Sequence, residues 1–434
     1  MKIKDFYQPD APTGVMPLAT RAGNFIFFAG GIAAHPVKGV PEEIKPIKAY
    51  PYHWSSVTRQ LRYIYDNMAR VLEDAGSSIK RIMKINTYQT DPTEIYDALT
   101  LRKDYFGVES PPPSTLVLVP ELPVRGASVT TDVIALASDE GLDRQALHEA
   151  TEVAPLPMHD RIWGHKIYVK AVQGGGFVFT AGRANTPLRG PSDERRLGHP
   201  DFPYQDDKGV IAAEIIIEYL SSVLKEMGTS LQDVVKVEVH LNEMKNLAAL
   251  DEVWRRFFPT NPPARVVIPV QLVIPKEYGT FEIEFIAIDP RGPYSKEVIS
   301  TADAPQSIGH EPQAIKVGPY VFLSGQLATD YKQGVAPEAQ VDRNFPYHSS
   351  SIKQQVRYIL KNVEAICQAS GTSLHNIVRR RAMHLDLNEL GEAETVWREA
   401  LGDRLPPTTV FRTTGSLPVP GCSVQYDLVV FIPD

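Results

Sequence analysis

Two histidines, a cysteine, a glycine run and an arginine motif are where this chain's residue types could do chemistry. His53 and His348 close the matching elements Tyr50-Pro51-Tyr52-His53 and Phe345-Pro346-Tyr347-His348, with Gln205 at the corresponding place between them. An imidazole there can serve as a general base near neutral pH. The plainer reading is a helix-start residue that hydrogen-bonds the free N–H groups of a first turn. Cys422, in Gly421-Cys422-Ser423, is a possible nucleophile without an evident paired base, and a small core residue is the plainer role. Gly174-Gly175-Gly176 precedes a strand and not a helix, so it is not expected to cradle phosphate. The histidines show no metal-ligand spacing, and neither metal nor cofactor is expected. The remaining candidates are Arg265, after Pro263-Ala264, and Glu282 on the strand that follows.

What positions these residues is a pattern written three times. Phe25–Gly30 returns as Phe177–Gly182 and as Tyr320–Gly325, at offsets of 152 and then 143. The same offsets relate Gly76 to Gly228 and Gly371, and Asp132 to Glu284 and Asp427. Solenoid units run about 20–50 residues, so a period this long means tandem domains. We place them at 1–140, 141–291 and 292–434, with polar linkers over Asp139–Asp160 and Pro290–Gly309. The 434 residues are 43% hydrophobic and 22% charged, with net charge −7 and no basic run, which argues against nucleic acid as a partner. No signal-peptide pattern and no apolar run of about 20 residues is seen. Two cysteines do not make a disulfide framework. A cytoplasmic enzyme or binding protein is expected.

Each copy reads β, α, β, α, β, β, with room for an extra early hairpin strand. The first helix steps through Val57, Leu61, Ile64, Met68 and Val71, and again through Ile352, Val356, Ile359, Val363 and Ile366, a single helical face. Gly76, Gly228 and Gly371 suit glycine C-caps. Val235–Leu241 alternates apolar and polar residues, predicting a strand with one buried face. The second helix is expected at Ile95–Phe106, Leu247–Phe258 and Glu392–Leu401. Helices on one face of each sheet make an α+β fold and leave three open sheet faces. Packing them around a pseudo-threefold axis within one chain is the economical solution.

The segments Lys166–Val172 with Gly175–Gly182, Ser307–Gln326, and Pro263-Ala264-Arg265 with Phe281–Ala287 resemble the signatures of the reactive intermediate deaminase family (RidA, also called YjgF). The resemblance covers essentially the whole chain, three times over. It implies three chorismate-mutase-like (RidA-like) domains arranged as a pseudo-threefold trimer with a central barrel, and ligand pockets in the clefts between units. The chain itself would then be a monomeric pseudo-trimer, or a homodimer of such units.

The resemblance also implies roles: an arginine that grips a substrate carboxylate, a glutamate that positions water, and a tyrosine lining the same cleft. Only the middle copy matches at all three, with Arg265, Glu282 and Tyr168, and these are the expected catalytic residues. The first copy offers Thr115, Thr130 and Met16, and the third Thr409, Gln425 and Glu311. A guanidinium binds a carboxylate through two parallel hydrogen bonds, which a threonine hydroxyl cannot imitate. Glu282 can take a proton from water, whereas Thr130 and Gln425 can only hold it. Because clefts are built across an interface, Tyr168 and Arg265 could instead face different clefts, with Met16 or Glu311 meeting the arginine. The recurrent acid Asp132, Glu284 and Asp427 reads as part of the shared fold. Gly182, Thr115, Thr409, His53 and His348 are candidate substrate-binding residues. The expected reaction is metal-independent hydrolysis of imines or enamines such as 2-aminoacrylate to an oxo acid and ammonia. The alternatives are a specialised hydrolase, deaminase or lyase of aromatic or heterocyclic catabolism, and a non-catalytic ligand-binding or interaction module.

Overall fold

A computed structural model describes residues 2–8, 15–45, 49, 55–107, 109–148, 169–185, 195, 201–202, 206–271 and 280–433. Three sheet-and-helix units follow one another. The first sheet holds β1 (Ile3–Phe6), β2 (Ala19–Ala22), β3 (Phe25–Ile32), β4 (Ile82–Gln89), β5 (Ser114–Leu118) and β6 (Val129–Leu136), in the order β1-β2-β3-β6-β4-β5. The second holds β7 (Gln145–His148), β8 (Val169–Gly174), β9 (Phe177–Thr180), β10 (Arg183–Ala184), β11 (Val234–Leu241), β12 (Ala264–Pro269) and β13 (Phe281–Ile288). Its order is β7-β8-β9-β13-β11-β12, with β10 on β13. The third repeats the plan with β14 (Lys296–Ile299), β15 (Ala314–Val317), β16 (Tyr320–Leu323), β17 (Ile377–His384), β18 (Thr408–Arg412) and β19 (Val424–Phe431).

Each sheet therefore opens with two strands before the expected first one. β7 and β14 fall inside the segments expected to be linkers. They are short edge strands, annealed to β8 and β15 by backbone pairing that little in their side chains announces.

Two helices cover one face of each sheet: α1 (Ser56–Asp74) and α2 (Ile95–Phe106), α3 (Lys208–Glu226) and α4 (Leu247–Phe257), α5 (Ser351–Ser370) and α6 (Leu390–Leu401). Val57, Leu61, Ile64, Met68 and Val71 are all buried in the first domain's core, as their spacing predicts. Gly76, Gly228 and Gly371 follow the long helices with φ of 78°, 77° and 82°, a region open mainly to glycine. The N-caps are Ser55, Asp207 and Ser350, whose side-chain oxygens accept from first-turn N–H groups. Ser350 thus does the work expected of His348, which lies two residues outside the helix; His53 lies outside the described residues.

The other sheet faces turn toward one another. One cluster joins Phe25, Phe27 and Leu136 of the first domain to Phe177, Phe179 and Ile286 of the second and Tyr320, Phe322 and Phe431 of the third. This is why β11 is buried along its whole length, not on one face as its alternation predicts. Its polar residues face the neighbouring domains: Lys236 and Glu238 pair with Asp427 and Arg381 of the third, and His240 lies beside Tyr88 of the first.

Candidate active site between the second and third domains

The domain contacts run cyclically and in one sense. Gly182 N of the second domain donates to Ser114 O of the first at 3.1 Å, and Gly325 N of the third donates to Arg265 O of the second at 2.9 Å. Gly30 N of the first donates to Thr409 Oγ1 of the third at 2.9 Å. Cavities lie at two of these contacts, between the second and third domains and between the third and first.

Strand register corrects one expectation. Arg265 pairs with Val237; the repeat counterparts of Val237, Ile85 and Arg380, pair with Ser114 and Thr408. The positions equivalent to Arg265 are therefore Ser114 and Thr408, one residue before Thr115 and Thr409. Thr115 and Thr409 point to the opposite face because side chains alternate along a strand. Thr115 Oγ1 accepts from Lys84 Nζ at 2.9 Å and donates to Glu284.

The same alternation separates the expected catalytic pair. Arg265 lies in register with Val237, on the helix-covered face with Val239 and Val267. Glu282 lies in register with His240, between Phe281 and Ile283, which both point into the helix-side core. Arg265 and Glu282 therefore sit on opposite faces and meet different neighbours. A Cβ added at Gly182 would lie 2.4 Å from Glu282 Oε1 and 2.3 Å from Thr115 Oγ1, so Glu282 borders the first domain. Tyr168 lies outside the described residues.

Arg265 faces the third domain. Its Nε donates to Glu311 Oε2 at 2.7 Å and its Nη1 to Asp251 Oδ1 at 2.6 Å. The guanidinium lies over Trp254 of α4, 5.1 Å from the ring centroid. Burial alone would lower its pKa, but Glu311 and Asp251 outweigh that and raise it. Glu311 Oε1 accepts from Ser307 Oγ at 2.8 Å. Trp254 Nε1 donates to His310 O at 2.8 Å, fixing the same segment of the third domain on the second. A cavity of about 120 Å³ is lined here by Arg265, Glu311, Asp251, Val267, Tyr331 and Gln425. Tyr331 holds a φ of 58°, a strained value for a residue with a side chain. Its hydroxyl is pushed above its usual range by burial first and by Glu311. Gln425 occupies the place that Glu282 takes one cleft earlier, beside Gly325.

The recurrent acids belong to a buried layer where the three sheets meet. Lys84 pairs with Glu284 at 2.7 Å, Lys236 with Asp427 at 2.6 Å, and Arg379 with Asp427 at 2.6 Å. Arg381 joins Asp132 at 3.0 Å and Glu238 at 2.7 Å. Asn86 Nδ2 donates to Glu238 at 3.0 Å and to Glu284 at 3.1 Å. Burial would raise the Glu238 carboxyl, but Arg381 and Arg379 hold it well below its usual range. Glu284 is pushed up to about 7 by burial and by Glu238, against the pull of Lys84. These groups serve assembly, as the recurrence of the acid implied.

Arg380 had no place in the sequence reading. It is fully buried, stacks 4.5 Å over Trp397 and donates through Nη2 to both oxygens of Glu394 at 2.7 Å. Trp397 and Glu394 are the counterparts of Trp254 and Asp251 at the offset of 143. An arginine from the adjacent strand thus reaches the setting that Arg265 occupies one domain earlier. The available signal was Arg379-Arg380-Arg381, three arginines where the other copies have Lys84-Ile85-Asn86 and Lys236-Val237-Glu238.

Three α+β units with cavities at two of their junctions define the class, and comparison with known proteins supplies the family. The endoribonuclease L-PSP family matches residues 8–137, 158–289 and 301–431, and the chain belongs to it, with three tandem copies of its domain. A RutC family protein of Pyrococcus horikoshii is 34% identical over 111 residues, 26% of this chain and 79% of that protein. The human 2-iminobutanoate/2-iminopropanoate deaminase is 25% identical over 117 residues, 27% of this chain and 77% of that protein. Among solved structures, RidA from an Antarctic Psychrobacter is 27% identical with a TM-score of 0.26, covering 31% of this chain and 99% of its own. No helix among the described residues is long and apolar enough to cross a membrane.

Proposed function

We propose that this chain is a hydrolytic deaminase of small imines or enamines, working in the cleft between its second and third domains. The observation that carries this reading is Glu311, a carboxylate held by Arg265 Nε at 2.7 Å in a cavity of about 120 Å³. The names of relatives such as the human 2-iminobutanoate/2-iminopropanoate deaminase support the reaction class.

Glu311 would take a proton from water as the water oxygen adds to the C=N carbon. The resulting carbinolamine collapses with its nitrogen protonated, giving a carbonyl compound and ammonium. Gln425 and Tyr331 offer the hydrogen bonds that hold substrate or water in place. Arg265 acts here as a positioning residue. It already meets two carboxylates, so the Arg265–Glu311–Asp251 group carries a net negative charge when both acids are ionised. Such a site favours a neutral imine or an iminium cation over a free imino acid. That preference also fits the alternative of a specialised enzyme acting on compounds without a carboxylate.

The test generates imines in situ from a primary amine and from an amino acid, and follows hydrolysis as loss of semicarbazone trapping. The amine-derived imine is expected to be hydrolysed faster, and Glu311→Gln to lower kcat by roughly 10²-fold, within the usual range for a general base. Arg265→Ala should lower kcat as well, by releasing Glu311. Rapid turnover of the imino acid with Glu311→Gln and Arg265→Ala both unimpaired would sink the reading.

A further inference from the structure

We propose that Tyr331 sets the size limit of the molecule that the Arg265 cavity admits, standing as a partition between that cavity and a larger groove on the third domain. On the deaminase reading above, on which this rests, the substrate is then an imine of a few carbons. Tyr331 is the one described residue that lines three separate spaces: the Arg265 cavity of about 120 Å³, a pocket of about 20 Å³ and a groove of about 760 Å³. The groove belongs to the third domain alone, and its lining includes Thr301, Asp303, Gln306, Lys361 and Asn362. Pockets for larger ligands run about 300–1,000 Å³, a range that the groove meets and the Arg265 cavity by itself does not.

The junction of the third and first domains shows what the same fold leaves without that ring. At the repeat offsets Tyr331 corresponds to Pro36, Gly325 to Gly30 and Asn362 to Asn67. Gly30, Pro36 and Asn67 line one continuous cavity of about 530 Å³. Their counterparts are divided. Gly325 lines the two smaller spaces, Asn362 lines the smallest and the groove, and the tyrosine stands on all three. The ring is also held where it stands. Tyr331 N donates to Thr329 Oγ1 at 2.9 Å, and that hydroxyl donates to Gly334 O at 2.5 Å. At the other end the Tyr331 hydroxyl meets the side chain of Ser307, which itself donates to Glu311 at 2.8 Å. A side chain tied at its backbone and at its tip is a fixed wall. A short substrate fits on the Arg265 side of it, and a long one would need the space beyond.

Access can be read without turnover. Gln425 is buried and lines the Arg265 cavity, so Gln425→Cys carries a thiol into it. The full-length variant is labelled with methyl and with benzyl methanethiosulfonate, and peptide mass spectrometry separates the new thiol from the buried Cys367 and Cys422. The methyl reagent is expected to outpace the benzyl one by about tenfold beyond their ratio toward free cysteine. Adding Tyr331→Gly, which removes the ring and suits the φ of 58°, should erase that preference, and Tyr331→Phe should keep it. Tyr331→Asn, which also tolerates this φ, takes the place of the glycine should that variant fail to fold. No preference in the parent, a preference that survives loss of the ring, or one lost in Tyr331→Phe would overturn the proposal. Imines formed in situ from acetaldehyde and phenylacetaldehyde carry the test to chemistry. Tyr331→Gly should raise the phenylacetaldehyde-to-acetaldehyde ratio of kcat/KM by about tenfold, chiefly through KM. Hydrolysis of both with that ratio unmoved would also overturn it. Hydrolysis of neither would sink the deaminase reading alone, because the labelling preference still decides whether Tyr331 is the partition.

Discussion

At the scale of single residues, what a charged side chain can do is set by the partners it already has. Arg265 and Arg380 stack on equivalent tryptophans and pair with equivalent acids, yet one also meets Glu311 and the other Met16. That difference leaves Arg380 with a buried Nη1 that has no hydrogen-bond partner among the described residues. The buried imidazoles make a separate prediction. His384 is fully buried, and its pKa is lowered to about 4, by burial first and then by Arg380. The unfolded chain therefore binds a proton that the folded chain refuses. His384's neutral form contributes fully above about pH 6.5, and stability is lost as pH falls from there toward 4. Each pH unit in that window should cost about 1.4 kcal/mol from this group. Urea midpoints measured from pH 7 to 4 should fall less steeply in His384→Leu; identical slopes would refute the assignment.

At the scale of elements, the helices and the four principal strands of each copy were legible because their apolar spacing has a local cause. Edge strands β7 and β14 were not, because backbone pairing and not side-chain pattern holds them. Register was legible only in part: the Pro-Ala-Arg comparison placed Thr115 and Thr409 at the position of Arg265, where the strand pairing puts Ser114 and Thr408, and a one-residue slip reverses the face of a strand. The glycine at the start of each cleft gives an element-scale test. Gly30 has a φ of 68°, and an added Cβ would lie 2.4 Å from the backbone oxygen of Thr408, which cannot rotate away. At Gly182 the obstacles are the side chains of Thr115 and Glu282. Gly30→Ala should therefore cost more than Gly182→Ala in chemical denaturation, on the order of 2 kcal/mol or more. The reverse ranking would show that the first–third contact yields more easily than the structure implies.

At the scale of the whole molecule, fusion lets equivalent positions differ. Asn86, Glu238 and Arg381 share one position in the repeat and meet in the buried layer, where Arg381 pairs with Glu238 and Asn86 donates to Glu238. Three identical subunits would bring three like residues to this place, and three glutamates or three arginines would repel one another without compensation. The single chain turns that position into a complementary set. Removing one member should be severe, because it leaves a buried charge unpaired: Arg381→Met is expected to cost about 3–5 kcal/mol. Since Phe25, Phe177 and Tyr320 share one cluster, the domains should also unfold together. Calorimetry should show a single transition. Residues 1–140 expressed alone should self-associate, and a stable monomeric fragment would contradict this view of the shared core.

By itself the sequence determined the three-domain plan, the helix faces, the glycine C-caps and the structural nature of the recurrent acid. Each of these depends on residues close in sequence or on the repeat itself. Which side chains meet in a cleft was decided only by the tertiary structure, because every cleft takes one wall from each of two domains. Glu311 reaches Arg265 across such a boundary, Glu282 is turned the other way by strand alternation, and Arg380 enters its site from a neighbouring strand. Those relations depend on register and interdomain packing, and no spacing along one copy encodes them.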